Sequence, residues 1–485
     1  MLFNSAPFLF FFPLVTSFYF LCPHPYRWAL LLAASCIFYM WFIPQYLLVL
    51  FILISIDYYM GMLIEDARIK GVHAKKYLIV SILATCSVLI IFKYFNFFSS
   101  NFSALGGFFG LHYPAKVMDF ILPIGLSFHT LQSLSYVIEV YKGRQGAERH
   151  FGIYSLYVMF YPQLVAGPIE RPYNLLPQFR EKHYVDYQRI ADALKLMAWG
   201  MFKKVVIADR MAVLVDQVYG NVRGYQGPEF LIVMVLCAVQ VYCDFSGYSD
   251  IAVGSAKAMG YRLTNNFNFP FFSRSMSDYW KRWNISFFSW VRDYIYIPLC
   301  QSRYWGDKRG VNIFIVFLFS GFWHGADWTY ILWGGVNGFY LIFARWTQGI
   351  RQKIRIIIGL VESSFLCKFW QTSITFLLFC FAGIFFRASS IEDAFYIINR
   401  LFQGWTDNFL IVLHTRLGFS LEWWAISFVI VSFLLFVELF QQNNKILHMF
   451  LKASGWVRWV YYYGLILAII ILGNYERNQF VYFQF

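Results

Sequence analysis

The sequence predicts an all-α polytopic membrane protein, with roughly ten to twelve transmembrane helices together with re-entrant and interfacial helices. Hydrophobic residues make up 59% of the 485 residues and charged residues only 14%, whereas an average soluble domain has roughly 25% charged residues. Apolar runs of membrane-spanning length also recur along the chain, with many basic residues between them. A soluble protein of this size could not bury so much apolar surface, so a soluble enzyme is excluded.

The charge balance and the cysteines exclude further classes. The chain has 40 Lys and Arg against 26 Asp and Glu, a formal charge of +14. Because the positive charges fall between apolar runs, they indicate cytoplasmic loops and affinity for anionic lipid headgroups, not a nucleic-acid partner. The 22% of aromatic residues excludes disorder. Eight cysteines without a CxxC pair predict neither a disulfide scaffold nor a zinc site.

The N-terminal apolar runs predict the first membrane crossings and their direction. Residues 1–25 are free of charge and lack a basic start or cleavage site, which predicts a membrane helix and not a removable signal. Residues 28–56 are too many for one crossing, and Pro44 predicts a turn between two helices. Basic residues follow the first helix, the third helix and the run 120–140, and these loops are predicted to be cytoplasmic. The N-terminus is then extracytoplasmic.

The middle of the chain has a less regular pattern. Residues 150–169 are apolar but contain prolines and glycines, so this segment is expected to re-enter the membrane instead of crossing it. Residues 191–214 are amphipathic and include the adjacent Lys203 and Lys204. Residues 261–310 are too apolar for a solvated loop and too charged for a span, which predicts interfacial and re-entrant helices on the cytoplasmic face.

Apolar spans return toward the C-terminus. They cover residues 311–326, 328–344, 369–386, 423–437 and 459–475. We assign all segments to one domain over residues 1–485, with N-terminal helices to about 140, a core from about 150 to 345 and C-terminal helices from about 369.

A histidine between two apolar runs is the first candidate functional residue, because polar groups in apolar segments are costly. A neutral imidazole at His324 can accept a proton from a hydroxyl, and the flanking Gly321 and Gly325 permit close approach of a substrate. The alternative is a histidine that hydrogen-bonds a neighbouring helix. His129, in another apolar segment, is predicted to be a hydrogen-bonded packing residue.

Residues 278–294 form a second cluster, which is both aromatic and charged. Its indole and phenyl rings fall on one helical face, a pattern typical of anchoring at the membrane interface. Arg282, Arg292 and Lys281 could bind phosphates of a cytoplasmic substrate. Lipid headgroups or nearby aspartates such as Asp293 are equally suitable partners for these cations.

Two carboxylates in residues 240–250 form a third cluster. Asp244 and Asp250 are costly in an apolar stretch unless they are paired or face a polar tunnel. They could orient a histidine or line a path for a hydroxyl substrate. They could equally cap a break at Gly247 or pair with Lys257.

With these motifs the chain resembles the membrane-bound O-acyltransferase family, and within it the bacterial alginate O-acetylation branch. The resemblance runs nearly end to end, and seven blocks in the same order make it specific. These blocks are residues 1–5, 121–128 with 132–136, 160–169, 240–250, 278–294, 322–325 and 482–485.

The resemblance implies a ring of helices around a central tunnel. An acyl thioester, acetyl-CoA or an acyl carrier protein, would enter from the cytoplasm as co-substrate, and no bound cofactor is implied. A hydroxyl acceptor would approach from the other side. Hydropathy places His324 near the outer surface, whereas the resemblance places it deep in the tunnel. An extracytoplasmic partner acetyltransferase is also expected.

The resemblance further implies the roles of particular residues. His324 matches the family's nearly invariant histidine and would be catalytic. Asn284 stands where polysaccharide-modifying members usually have a second histidine, and its amide could hold a carbonyl oxygen or orient the acceptor. The candidate substrate-binding residues are Trp323, Arg282, Trp283, Asp244, Tyr248 and Asp293.

The function expected from the resemblance is transfer of acetyl groups for a cell-envelope or exported polysaccharide, in the bacterial cytoplasmic membrane. Three alternatives stay open at this point. They are D-alanyl transfer to teichoic acid from a carrier-protein thioester, a flippase or transporter of a lipid-linked glycan, and a non-catalytic scaffold of a secretion complex.

Overall fold

The computed structural model describes residues 1–111, 114–119, 123–302, 308–357, 364–405, 411–442, 455–475 and 480. Within these ranges every regular element is a helix, which confirms the all-α prediction. The chain divides into two compact units, residues 1–197 with 248–265 and residues 198–247 with 266–485. Residues 121–122 and 482–485, which belong to two of the resemblance blocks, lie outside the described residues.

The N-terminal helices follow the predicted order. They are α1 (Ala6–Leu21), α2 (Arg27–Met40), α3 (Tyr46–Ile69), α4 (Lys75–Leu89), α5 (Phe95–Phe108) and α6 (Leu126–Tyr141). The turn predicted at Pro44 is confirmed, since α2 ends and α3 begins on either side of it. A π-helical turn, Ile90–Tyr94, joins α4 to α5.

A buried carboxylate connects three of these helices. Asp57 of α3 accepts hydrogen bonds from Ser81 at 2.5 Å, from Thr85 at 3.1 Å and from Ser133 of α6. Ser133 also lies 3.2 Å from the hydroxyl of Tyr154. Because lipid offers no hydrogen bonds, a fully buried polar group of this kind fixes α3, α4 and α6 against one another.

The apolar segment 150–169 is interrupted, as its prolines predict. It forms α7 (Phe151–Met159) and the single turn α8 (Tyr161–Leu164), with a break at Phe160, and α9 (Pro172–Leu175) follows. Almost all of the segment is buried. The interruption of this helix is confirmed, and its re-entry into a membrane stays a prediction.

The central helices are longer. They are α10 (Tyr187–Met201), α11 (Asp209–Gly220) and α12 (Gly227–Met259), and a π-helical stretch, Phe202–Ala208, joins the first two. Lys203 and Lys204 lie in this stretch and are buried.

Three short helices cover much of the region that the sequence predicts to be interfacial. They are α13 (Met276–Arg282), α14 (Ile285–Val291) and α15 (Ile297–Gln301). No long helix occurs in the described part of 261–302. The absence of a span from this part of the region therefore agrees with the prediction.

The C-terminal helices include the remaining long apolar segments. They are α16 (Arg309–His324), α17 (Trp328–Trp346), α18 (Gln348–Ile357), α19 (Phe365–Arg387), α20 (Ile391–Arg400), α21 (Leu421–Gln442) and α22 (Gly455–Leu472).

Six helical segments of the described chain are long and apolar enough to cross a membrane. They are α3, the joined α4 and α5, α12, α19, α21 and α22. Shorter apolar helices such as α1, with 16 residues, accompany them. The prediction of a polytopic membrane protein is confirmed.

Candidate functional site

The main candidate histidine lies where one helix ends and the next begins. His324 is the last residue of α16, and Gly325 leaves the helix with an extended backbone at φ −155°. Asp327 then starts α17 by accepting a hydrogen bond from the backbone N–H of Thr329 at 2.8 Å. The C-terminus of a helix carries a partial negative charge, so this position favours a positively charged imidazolium.

Glycines bring α16 and α17 into backbone contact. A Cβ atom at Gly321 would lie 2.2 Å from the carbonyl oxygen of Tyr330, and one at Gly334 would lie 2.2 Å from that of Phe317. Only glycine permits this approach. A Cβ at Gly325 would meet the ring of Tyr330 at 2.1 Å. The interpretation that Gly321 and Gly325 leave room for a substrate is therefore wrong, because Tyr330 fills the space beside them.

Aromatic rings surround the imidazole. The ring of His324 has its centroid 5.0 Å from Trp323, 5.1 Å from Trp333, 5.4 Å from Phe386 and 5.8 Å from Phe287. Its exposed fraction is 6%. These rings exclude bulk water, and in such surroundings a charge that develops during a reaction interacts strongly with nearby dipoles.

A small apolar cavity adjoins this aromatic group. We call it the apolar slot; it has a volume of about 30 Å³ and is lined by residues that include Trp283, Trp333, Gly383 and Phe386. Trp333 and Phe386 also contact the ring of His324. The slot is therefore lined by two rings that contact His324 and by Trp283, the residue before Asn284.

Asn284 occupies a strained backbone position between α13 and α14. Its φ of 44° and ψ of 55° are left-handed, and its exposed fraction is 1%. Asn266 holds the two residues that follow Asn284 in place. Its backbone carbonyl accepts a hydrogen bond from the N–H of Ile285 at 3.0 Å, and its side-chain oxygen accepts one from the N–H of Ser286 at 3.1 Å. Asn and His are both enriched in the left-handed region. The backbone alone therefore favours either residue type here.

The predicted interfacial role of the aromatic stripe is wrong. The indoles of Trp280, Trp283 and Trp290 and the ring of Phe287 are at most 5% exposed. The helix also breaks at Asn284, so these rings do not share one continuous helical face. They pack inside the second unit instead, where tertiary contacts outweigh the amphipathic pattern.

The charged candidates of residues 278–294 have local partners. Arg282 donates to Asp278 at 2.9 Å, one helical turn earlier. Asp293 pairs with Arg292 at 2.8 Å. A phosphate would have to compete with these carboxylates, so the assignment of Arg282 and Asp293 to substrate binding stays a prediction.

Asp244 takes part in a buried group of charges. Its carboxylate lies 2.6 Å from the ammonium of Lys204, which also pairs with Asp209 at 2.9 Å. The neighbouring Lys203 donates to the hydroxyl of Ser246 at 2.9 Å. The expected cost of a carboxylate in this apolar segment is therefore offset by ion pairing.

Two further residues of the sequence analysis lie in the first unit. Tyr248 packs against Phe3, with ring centroids 4.5 Å apart. His129 is 2% exposed, and neither ring nitrogen has a hydrogen-bond partner among the described residues. Among the described residues, the prediction that His129 is hydrogen-bonded is therefore wrong.

The structure brings together His324, Trp323 and Trp283 around the apolar slot and its aromatic walls. Sequence reasoning missed Trp333 and Phe386, because nothing distinguishes them from other aromatic residues in apolar helices. It also missed Lys204 as the partner of Asp244, although two adjacent lysines in an apolar segment are themselves a signal that a carboxylate is near. Across the described ranges, no group of three or more His, Cys, Asp or Glu could hold a metal ion.

Comparison with known proteins identifies the family. Residues 37–386 match the model of MBOAT, the membrane-bound O-acyltransferase family. A protein of Pseudomonas aeruginosa named "Probable alginate O-acetylase AlgI" is 35% identical over 405 residues, covering 83% of this chain and 75% of the relative. A "Peptidoglycan O-acetyltransferase" of Helicobacter pylori is 32% identical, covering 77% of this chain and 73% of the relative.

A more distant relative extends the range of acyl groups in the comparison. The "Teichoic acid D-alanyltransferase" of Bacillus subtilis is 26% identical over 263 residues, which cover 49% of this chain and 62% of the relative. The described chain is a multi-pass helical protein, and the family model covers most of its length. This protein is an O-acyltransferase and belongs to the membrane-bound O-acyltransferase family.

Proposed function

We propose that the protein transfers acetyl groups from a cytoplasmic thioester, for O-acetylation of a cell-envelope or exported polysaccharide. The observation that carries this proposal is the buried His324 at a helix C-terminus, beside an apolar slot of about 30 Å³. The names of the Pseudomonas and Helicobacter relatives support acetyl as the acyl group and a polysaccharide or peptidoglycan as the acceptor.

In the proposed reaction His324 is the general base. Its neutral imidazole takes the proton of the acceptor hydroxyl while that oxygen attacks the thioester carbonyl carbon. The new C–O bond forms, the C–S bond breaks, and the thiolate leaves with the proton that the imidazolium returns. The C-terminus of α16 stabilises the imidazolium between these steps. The acceptor is the polysaccharide itself or a nucleophile on an extracytoplasmic partner transferase.

The size of the apolar slot supports a small acyl group. Its volume of about 30 Å³ is two to three times the roughly 10–15 Å³ that one water molecule needs on the same measure. A methyl group fits in this space, whereas a long acyl chain would require the aromatic walls to move. We therefore assign the slot to the methyl group of the acetyl donor.

Filling the slot should reduce acetyl transfer without destabilising the protein. Gly383 lines the slot, and apart from its chain neighbours and the backbone of α19 no described atom lies within 4 Å of a Cβ placed there. In Gly383→Leu the new side chain would occupy the space of the methyl group, while loss of a helical glycine favours folding by about 1 kcal/mol. We expect acetyl transfer to fall at least tenfold, as measured with radiolabelled acetyl donor in membranes.

Gly464 offers a matched control for this substitution. It lies on α22, is exposed, and also has open space around a Cβ. Gly464→Leu should leave acetyl transfer unchanged. Equal transfer by Gly383→Leu and wild-type protein would contradict the role of the slot.

Substitutions of Asn284 can separate its backbone role from its amide. Asn284→Gly keeps the left-handed conformation but removes the amide, so thermal stability should change little while transfer falls on the order of 10²-fold, as for loss of an oxyanion donor. Asn284→Ala adds backbone strain of about 1–2 kcal/mol and should also lower the melting temperature. Thermal unfolding and transfer would be measured on the same preparations. Full activity of Asn284→Gly would show that the amide of Asn284 is not needed for transfer and that the residue has only a structural role.

The direct test of the function compares envelope polymers from cells with and without the gene. Mass analysis should show that O-acetyl esters of one polymer are lost on deletion and return with the wild-type gene. Loss of D-alanyl esters instead would replace acetyl by D-alanyl as the group transferred. Loss of the polymer itself, with no acyl-specific change, would favour a transporter or scaffold and overturn the proposal.

A further inference from the structure

A large cavity lies within the first unit. Its volume is about 870 Å³, and it is lined by parts of the segment 173–183, by α10 and by residues 253–265. This size falls within the range of ligand-binding pockets, roughly 300–1,000 Å³. Its lining includes Val253 and Lys257, in the last turns of the candidate membrane span α12. We call it the basic pocket.

The walls of the basic pocket are fixed by hydrogen bonds. The side chain of Gln178 donates to the carbonyls of Asn174 at 2.8 Å and Arg262 at 3.1 Å, and it accepts from the N–H of Arg262 at 2.7 Å. Gly260, at φ 107°, leaves room for the ring of His183, which a Cβ would approach to 2.8 Å. The two loops that form the pocket are thus joined without a ligand.

The charge of the basic pocket favours an anion. Three cationic side chains line it, Arg189 from α10, Lys257 from the last turn of α12 and Arg262 from the loop that follows, against the single carboxylate of Glu181. The Nε of Arg189 is buried and has no hydrogen-bond partner among the described residues. Burial lowers the pKa of His183, which favours its neutral form. The positive charge of the pocket therefore comes from Arg189, Lys257 and Arg262.

The short segment between His183 and Arg189, two residues that line the basic pocket, has the composition of a membrane interface. Its residues Tyr184, Val185 and Tyr187 are 66%, 67% and 84% exposed. Exposed tyrosines beside apolar residues are typical of the headgroup region. Arg27 donates to the carbonyl of His183 at 2.7 Å, and the positive-inside rule predicts that Arg27 is cytoplasmic. The cytoplasmic leaflet is the one that attracts basic pockets to anionic lipids.

We propose that the basic pocket binds phosphate groups, and that in the membrane its ligand is the headgroup of an anionic phospholipid. The guanidinium groups of Arg189 and Arg262 suit phosphate oxygens, and Lys257 adds a point charge. The exposed Tyr184 and Tyr187, which lie between two lining residues in the sequence, suit the headgroup region of a bilayer. This assignment does not depend on the acyl-transfer chemistry.

Native mass spectrometry of the full-length protein in detergent tests the proposal. Cardiolipin should bind more tightly than phosphatidylcholine to the wild-type protein. The double variant Lys257→Gln/Arg262→Gln should lose roughly fivefold in cardiolipin affinity for each charge removed. Arg262 joins the pocket wall through its backbone, so this variant keeps the bonds to Gln178. The matched control is Lys70→Gln/Lys75→Gln, which removes two exposed charges elsewhere and should retain the preference for cardiolipin.

A second arm of the experiment identifies the source of the phosphate. Coenzyme A and inorganic pyrophosphate are titrated into the same samples without lipid. If the pocket variant weakens coenzyme A binding and leaves cardiolipin binding unchanged, the phosphate site is supported and the lipid assignment is overturned. If neither ligand distinguishes the pocket variant from the control, the whole proposal is rejected. A His324→Ala protein should bind cardiolipin as the wild type does, which keeps this result separate from a failure of acyl transfer.

Discussion

The His324→Ala variant should lose acetyl transfer while it accumulates and unfolds like the wild-type protein. Removal of a positioned general base costs on the order of 10²–10⁴ in rate. The imidazole contacts four aromatic rings and its exposed fraction is 6%, so no bulk water can replace it as a base. The measurement is the initial rate of transfer in membrane preparations with matched protein amounts.

The second deeply buried histidine provides the control for this prediction. His129→Ala removes an imidazole that is 2% exposed and lies in the first unit. It should retain transfer when rates are corrected for protein abundance. If His324→Ala transfers acetyl groups at the wild-type rate, the proposed base is wrong. If both variants lose transfer in proportion to abundance, the effect is on folding and not on chemistry.

The apolar pattern of the sequence predicts where the helices lie along the chain. It does not predict which of their side chains face protein and which face lipid. Hydropathy and Pro44 are enough to place α1, α2 and α3, because crossing a membrane demands a minimum apolar length whatever the helix packs against. The same pattern cannot tell a ring that faces lipid from one that faces protein, since both surroundings are apolar. For this reason the sequence places the stripe of Trp280, Trp283 and Trp290 at the membrane interface, whereas the structure buries it.

Within the candidate site, single residues were easier to predict than their arrangement. His324 stands out because an imidazole between apolar runs is costly. The roles of Gly321 and Gly325 could not be read from the sequence, because a glycine beside a histidine permits close approach of a substrate or of another helix equally well. The contact between α16 and α17 shows the second outcome. The backbone of Asn284 could not be predicted either. Its left-handed conformation explains why an asparagine suits this position, and no spacing of residues in the sequence indicates that conformation.

Among the substitutions considered, removing the ammonium of Lys204 from its buried pairs with Asp209 and Asp244 should destabilise the protein most. In Lys204→Met the carboxylates of Asp209 and Asp244 would remain buried without the ammonium that now lies 2.9 Å and 2.6 Å from them. Loss of one partner from a buried ion pair typically costs about 3–5 kcal/mol. We expect a clear fall in the melting temperature of purified protein in detergent, followed by fluorescence of a thiol-reactive or intrinsic probe.

The adjacent lysine gives a matched comparison. Lys203 is equally buried, and its ammonium donates to the hydroxyl of Ser246. Lys203→Met leaves the ion pairs of Lys204 with Asp209 and Asp244 in place, so it should lower the melting temperature less than Lys204→Met. A similar loss for the two variants would mean that burial of the lysine stem, and not the charge pairing, determines stability here.

Variants of this buried charge group distinguish two roles of Asp244, pairing with Lys204 and binding the substrate. If Asp244 serves the ion pair, the double variant Lys204→Met/Asp244→Asn should recover part of the stability lost in Lys204→Met, because only the carboxylate of Asp209 then remains uncompensated. Its acetyl transfer should recover in parallel with folded protein. If stability recovers and transfer does not, Asp244 contributes to substrate binding beyond its pairing with Lys204, as the family resemblance implies.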